Sequence, residues 1–248
     1  MKPTIIIHKT CASSYNLYKL LKERGLLDKV TIVEAGSPVD REGRLVWSVP
    51  WLLVGGEPAG TDPLPLEAVI AAIEGDPFPA PKDRVSAFME AVLHSALAAS
   101  MVLVNGSLKP VMDIRLAKAA VHAPLSGADA RALLEEVKSR EKELLEEWMG
   151  KISRAVAISF VREAWWSSGG ALSPSALEKL VEAGGFKTWL IGKASIGRAG
   201  LPADPRAASE SDAIAEAEQF IIKTAPVLIR RVAKEQDEIL GDEEWMMA

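Results

Sequence analysis

Two rhythms of apolar and polar positions divide this chain. Up to Gly75, short apolar runs alternate with stretches of helical spacing; beyond residue 82 nearly every apolar residue repeats at helical spacing. Thr4-Ile5-Ile6-Ile7 is a continuous apolar run of strand length, and Tyr15 to Arg24 is an amphipathic helix closed by Gly25. Lys29-Val30-Thr31-Ile32-Val33-Glu34, rich in β-branched residues, predicts a second strand. Ala35 to Ser48 is punctuated by Gly36, Pro38 and Gly43 and reads as a loop or short helical turn, with Arg44-Leu45-Val46-Trp47 as an extended alternative. Trp51-Leu52-Leu53-Val54 predicts a third strand and Gly55-Gly56 a hairpin turn. The return strand Glu57-Pro58-Ala59 belongs at a sheet edge, because proline cannot donate to a ladder. Leu64, Leu66, Val69, Ile70 and Ile73 then mark a helix ending near Gly75.

The prolines at 77, 79 and 81 break any helix and stiffen the connection, so residues 77–81 read as a linker. After it, Val85, Phe88, Met89, Val92, Ala96 and Ala99 form one helical stripe running toward Asn105-Gly106. Leu108 to Val121 is a less regular helix. Gly127 to Met149 is the clearest, with Glu136/Arg140 and Lys142/Glu146 pairs on its solvated faces. Ile158, Val161 and Trp165 predict another helix, stopped by Gly169-Gly170, and Ser173-Pro174 starts a short one. The last helical stretch opens at Ser209, with Asp212 in the first turn, and keeps its period past Pro226, where a kink is expected. The pattern therefore predicts two domains, an α/β domain over residues 1–76 and an all-α domain over 82–248.

Composition narrows the function classes. Of 248 residues 48% are hydrophobic and 25% charged, enough for real cores and unlike a disordered chain. The net charge of −5 argues against nucleic-acid binding and gives no attraction to an anionic membrane. No apolar run approaches the ~18 residues of a membrane span, and the first residues lack a signal-peptide pattern. One cysteine forms no intramolecular disulfide, so a cytoplasmic protein is the expectation.

That cysteine, Cys11, lies at the turn from the first strand into the first helix. Unpaired amides and the positive end of a helix favour an anion there, so a lowered thiol pKa and a reactive thiolate are expected; a small buried hydrophobe is the alternative. Ser14 stands where its hydroxyl can hydrogen-bond the sulfur, and His8 is three residues upstream. His94 and His122 lack partners at ligand spacing, so no metal site is expected, and no G-x-S-x-G hydrolase motif is present. Gly192 to Gly200, with Lys193 and Arg198, lacks the phosphate-loop order and reads as a flexible surface loop; anion capture is the role it would suit. Trp165 and Trp189 read as helical core, and Trp166 as an exposed contact residue.

Four features fall in register: Cys11-Ala12-Ser13-Ser14 as C-x-x-S, Val49-Pro50 before the third strand, Gly55-Gly56, and Gly60-Thr61-Asp62 before the helix. In that register residues 4–75 resemble a thioredoxin-fold domain of the glutaredoxin and glutathione transferase kind, and the whole chain resembles the latter's α/β-then-helical architecture. The resemblance implies Cys11 and Ser14 as catalytic residues, a cis Val49-Pro50 bond shaping the substrate groove, and Thr61 and Asp62 holding a ligand. It implies no bound cofactor, a low-molecular-weight thiol such as glutathione, and a small thiol or a protein disulfide as substrate. The chain departs from it in having no second cysteine, so an external thiol must resolve any mixed disulfide. Three readings follow: a monothiol thiol–disulfide oxidoreductase; a binding or scaffold protein whose helical domain supplies a protein interface; and, as a weaker third, a transferase in which Cys11, Ser13 or Ser14 activates a bound thiol.

Overall fold

The computed structural model describes residues 2–36, 39–40, 42–78, 80–123, 125–195, 201–202, 204, 206 and 211–247. The Ser209 cap, Pro38, Pro79 and the glycine-rich loop from residue 196 onward lie outside these. An open four-stranded mixed sheet at the N-terminal end is followed by helices. The strands are β1 (Thr4–Ile7), β2 (Thr31–Glu34), β3 (Trp51–Val54) and β4 (Glu57–Thr61), in the order β2-β1-β3-β4. Helix α1 (Ala12–Glu23) connects β1 to its parallel neighbour β2, with Thr4 opposite Thr31 and Ile7 opposite Glu34. β3 runs antiparallel to β1, pairing Ile5 with Leu52, and β4 returns antiparallel at the edge that Pro58 requires. Helix α2 (Leu66–Glu74) follows. The segment before β3 contains no helix among the described residues; Val39 and Leu45 form one antiparallel bridge there.

Alternation along the central strands explains what covers the sheet. Ile5, Ile7 and Leu52 pack with Tyr15, Leu17, Tyr18 and Leu21 of α1 and with Leu66 and Val69 of α2. Ile6, Trp51 and Leu53 take the opposite face by the two-residue period and are also buried. Among the described residues of 1–76 no further element covers that second face. Cover comes from α5 (Ile114–Ala120), which packs on β4 and on α3 (Arg84–His94) and α6 (Gly127–Ser139). Accordingly the first compact unit comprises Met1–Ser95, Met112–Ser139 and Glu238–Ala248 rather than ending at the proline-rich stretch.

The second unit, Ala96–Val111 with Arg140–Asp237, is helical. It contains α4 (Ala96–Asn105), α7 (Glu141–Ser167), α8 (Pro174–Glu182), α9 (Gly185–Ala194) and most of α10 (Asp212–Leu240). Phe160, Phe186 and Trp189 form an aromatic group, and Arg162 makes a paired salt bridge to Glu235. Trp166 is 40% exposed and donates to the buried Gln236. Helix α10 is continuous through Pro226.

Two expected helices divide differently. The stripe from Val85 to Ala99 is cut at Ser95, whose backbone is extended and whose buried Oγ donates to the Trp47 carbonyl. The expected helix over Gly127–Met149 stops at Ser139, and α7 then runs unbroken through Gly150 to Ser167. Both breaks coincide with the chain leaving the first unit. Among the described residues no single helix is long and apolar enough to cross a membrane.

Candidate functional site

Cys11 is the N-cap of α1, with an extended backbone at φ −88° and ψ 120°. The residue is half-buried, and its Sγ–H donates to the Val49 carbonyl at 3.3 Å. Val49-Pro50 is cis, as the register predicts, and so is Asp62-Pro63, which the sequence reading did not anticipate. Burial pushes the Cys11 thiol above the ordinary thiol pKa, while hydrogen bonds from the Ser14 amide and hydroxyl pull it down; the Asp62 charge adds to the rise and the Ser13 amide opposes it. The expected depression is thus overturned: the helix N-terminus contributes, but desolvation outweighs it.

Ser14 is fully buried, and its Oγ accepts the His8 amide at 3.4 Å while serving the sulfur. The His8 ring turns to Thr10 instead: Nδ1 lies 2.9 Å from the Thr10 hydroxyl and accepts the Thr10 amide. Ser13 donates to Asp62 Oδ2 at 3.1 Å. His94 Nδ1 approaches the same Oδ2 at 3.4 Å, and its Nε2 lies 3.6 Å from Glu90. The hydrogen bond to Asp62 raises the His94 pKa; burial opposes this, and the charges of Asp62 and Glu90 support it.

Thr61 is buried, with its hydroxyl 2.5 Å from that of Ser48. Its carbonyl accepts a hydrogen bond from His122 Nε2 at 2.9 Å, which fixes the proton on that nitrogen. Burial lowers the His122 pKa. His122 adopts a positive φ of 52° just past α5, and its ring lies 3.4 Å from where a Cβ on Gly60 would stand; that Cβ would also stand 2.5 Å from Leu64 Cδ1, so a side chain at this position of β4 requires Leu64 to shift.

A groove of about 500 Å³ adjoins the thiol. Leu17, Leu20, Pro63, Leu64 and Pro65 supply apolar walls, and Ser13, Pro50, Asp62, Glu90 and His122 also line it. Of the candidate residues singled out in the sequence, Ser13, Pro50, Asp62 and His122 line this groove. Cys11 is not itself a lining residue; it neighbours the groove through Ser13, two residues on, and through Val49, whose successor Pro50 lines it, whereas Ser14 and Thr61 are committed to internal hydrogen bonds. The sequence named Ser13 only as a possible activator of a bound thiol, left Glu90 unmarked, and offered His94 and His122 only as rejected metal ligands. The Glu90/His94 spacing of one helical turn was the available signal.

The thiol-bearing loop has a further support that no pattern announced. Helix α11 (Glu243–Met247) buries Trp245 completely against Tyr15 and Tyr18. Trp245 Nε1–H donates to the Lys9 carbonyl at 2.8 Å, and Lys9 Nζ donates back to the Trp245 carbonyl at 2.5 Å. Asp242 accepts from the Tyr15 hydroxyl and from the Trp245 amide.

Among the described residues no three His, Cys, Asp or Glu side chains gather as a metal site. No family model matches this chain, and no curated protein or solved structure matches it either.

Proposed function

We propose that this protein is a monothiol thiol–disulfide exchange protein with a thioredoxin-like first unit, Cys11 being the reacting group. The observation that carries the reading is the contact of Cys11 Sγ with the backbone of Val49, at a helix N-terminus and beside an apolar-walled groove. The strand order β2-β1-β3-β4, with one parallel and two antiparallel pairings, supports the resemblance in residues 4–75. The thiol first gives its proton to solvent, and the Ser14 amide and hydroxyl hold the resulting anion. The thiolate attacks one sulfur of a disulfide R–S–S–R′. A Cys11–S–S–R bond forms, the S–S bond of the substrate breaks, and R′S⁻ leaves to take up a proton. An external thiolate R″S⁻ then attacks the R sulfur: an R″–S–S–R bond forms, the bond to Cys11 breaks and the Cys11 thiolate leaves, so one disulfide is exchanged for another.

The test is the intact mass of the protein after incubation with bis(2-hydroxyethyl) disulfide, and then after addition of a small thiol. The expected outcome is one adduct at Cys11 that the thiol removes, and none on Cys11→Ser. A wild type that stays unmodified, or behaves like Cys11→Ser with every thiol, ends the proposal. The raised thiol pKa favours a second reading, a non-catalytic binding protein that retains the fold. In that case Cys11→Ser keeps every partner the wild type binds.

A further inference from the structure

The charge of the groove beside Cys11 is one-sided. Asp62 and Glu90 are its charged lining residues; among the described residues neither lysine nor arginine lines it. His122 also faces it, but burial favours the neutral ring and Thr61 holds its Nε2 proton. His94 is the nearby cation, and it is already shared between the two carboxylates. When His94 is protonated these three groups sum to −1, and when it is neutral to −2. The contacts that Ser13 and His94 make with Asp62 both fall on Oδ2. The rest of the wall is apolar, and Leu20 is 43% exposed although it points into the groove lining.

We propose that this groove takes a short apolar chain ending in an ammonium group, so that the disulfide exchanged at Cys11 is an aminoalkyl disulfide rather than an anionic one. The exchange half of this statement rests on the function proposed above; the binding half does not. The apolar segment replaces water along Leu17, Leu20 and Leu64, and the ammonium meets Glu90 and Asp62. An anionic group in the same place faces two carboxylates, and the nearby cation, His94, is already shared between them. A protein substrate is disfavoured by size, since about 500 Å³ suits a ligand of a few tens of atoms at most.

Three disulfides of similar length separate the cases: cystamine, bis(2-hydroxyethyl) disulfide and 3,3′-dithiodipropionate. Their rates of mixed-disulfide formation at Cys11 are measured at low salt, each divided by its rate with free cysteine. The expected corrected order is cystamine, then the neutral compound, then the dianion, with cystamine at least about fivefold ahead of the dianion. Glu90→Gln and added salt shrink that ratio. A corrected ratio of one, or a dianion that reacts faster, overturns the proposal. A second measurement covers a chain that does not react: hexylamine and hexanoate are titrated into Cys11→Ser while the amide resonances of Ser13 and Leu17 are followed. Shifts with hexylamine alone keep the groove assignment even if no disulfide reacts, in which case thiol exchange is what has failed. Equal shifts, or shifts with hexanoate alone, end the groove assignment whatever Cys11 does.

Discussion

Removing Trp245 tests whether the C-terminal segment holds the thiol loop in place. The ring is fully buried, its centroid lies 5.0 Å from that of Tyr18 and 5.7 Å from that of Tyr15, and its Nε1–H occupies the Lys9 carbonyl. Trp245→Ala leaves a cavity of side-chain size in the cluster that contains Ile5, Ile7 and Leu21, and truncations of this kind cost about 3–5 kcal/mol. Trp245→Phe keeps most of the packing but orphans the carbonyl, at about 1–2 kcal/mol. The Lys9 ammonium, 4.8 Å over the ring, adds about 0.5–1 kcal/mol at a site this close to solvent. The chain has two compact units, so a single unfolding midpoint can mix two events. Hydrogen exchange of the Ile5–Ile7 amides in β1 reads the first unit directly. We predict faster exchange there in the order wild type, Phe, Ala, with Cys11 alkylation accelerating in the same order because Lys9 and Cys11 share one loop. If Trp245→Ala costs less than about 1 kcal/mol at β1, the aromatic cluster does not support this unit and the reasoning fails.

The iodoacetamide labelling of Cys11 should have its midpoint above the ordinary thiol value of ~8.5, and Ser14→Ala should move it higher still by deleting a hydrogen bond to the anion; a midpoint below that value refutes the burial argument. Saturating hexylamine should lower the same midpoint, because an ammonium beside Asp62 offsets the charge that helps keep the thiol protonated; no shift would mean that bound cation and sulfur do not communicate. The His94 ring should titrate above ~6.5 by NMR and fall back in Asp62→Asn. Since the folded pKa is the raised one, its contribution to stability is complete below ~6.5 and is lost as pH rises through the folded value; a stability profile identical in wild type and Asp62→Asn would contradict this. Gly60→Ala should destabilise by about 1–3 kcal/mol through the clash with Leu64, and pairing it with Leu64→Ala should recover part of the loss in a urea titration.

What the sequence disclosed depended on how local the physics was. Ile5 to Ile7 and Trp51 to Leu53 are short apolar runs bounded by turn residues, and their strands follow from that alone. Ser173, read as the start of its helix, caps it by accepting the Ala176 amide; Asp83 and Asp113, which were not singled out, cap theirs in the same local way. Ser95 behaves otherwise. Helical spacing continues from Val85 to Ala99 across it, and what breaks the helix is the carbonyl of Trp47, nearly fifty residues away in the chain. Arg140 breaks a run of good helix formers with no glycine or proline to announce it. Trp245 lies in a five-residue helix too short to show a period, so its burial was illegible. The extent of the first unit was hidden for a related reason. The proline-rich stretch was visible as a boundary, but the need to cover both faces of β1 and β3 outweighs a local break in the chain.

The thiol itself shows why the site was half legible. Its position at the start of α1 was readable, and a helix N-terminus favours a nearby anion by about 0.3–1 kcal/mol at an exposed site. Desolvation of a buried charge runs to several times that, and no pattern of residue types reports how deeply a loop sits. In this fold the loop is pulled inward from two directions. Lys9 is tied to Trp245, and Val49 is brought against the sulfur by the turn into β3. The same two ties that fix the Cys11 loop therefore also favour the protonated thiol. An exchange reaction here has to work against burial, and a cation in the groove would offset only the smaller contribution of the Asp62 charge. A cation bound at Asp62 cancels the charge that opposes the thiolate while the Ser14 hydrogen bonds remain in place. Burial keeps the resting sulfur on the thiol side, and the Ser14 hydrogen bonds favour the anion once the proton has left.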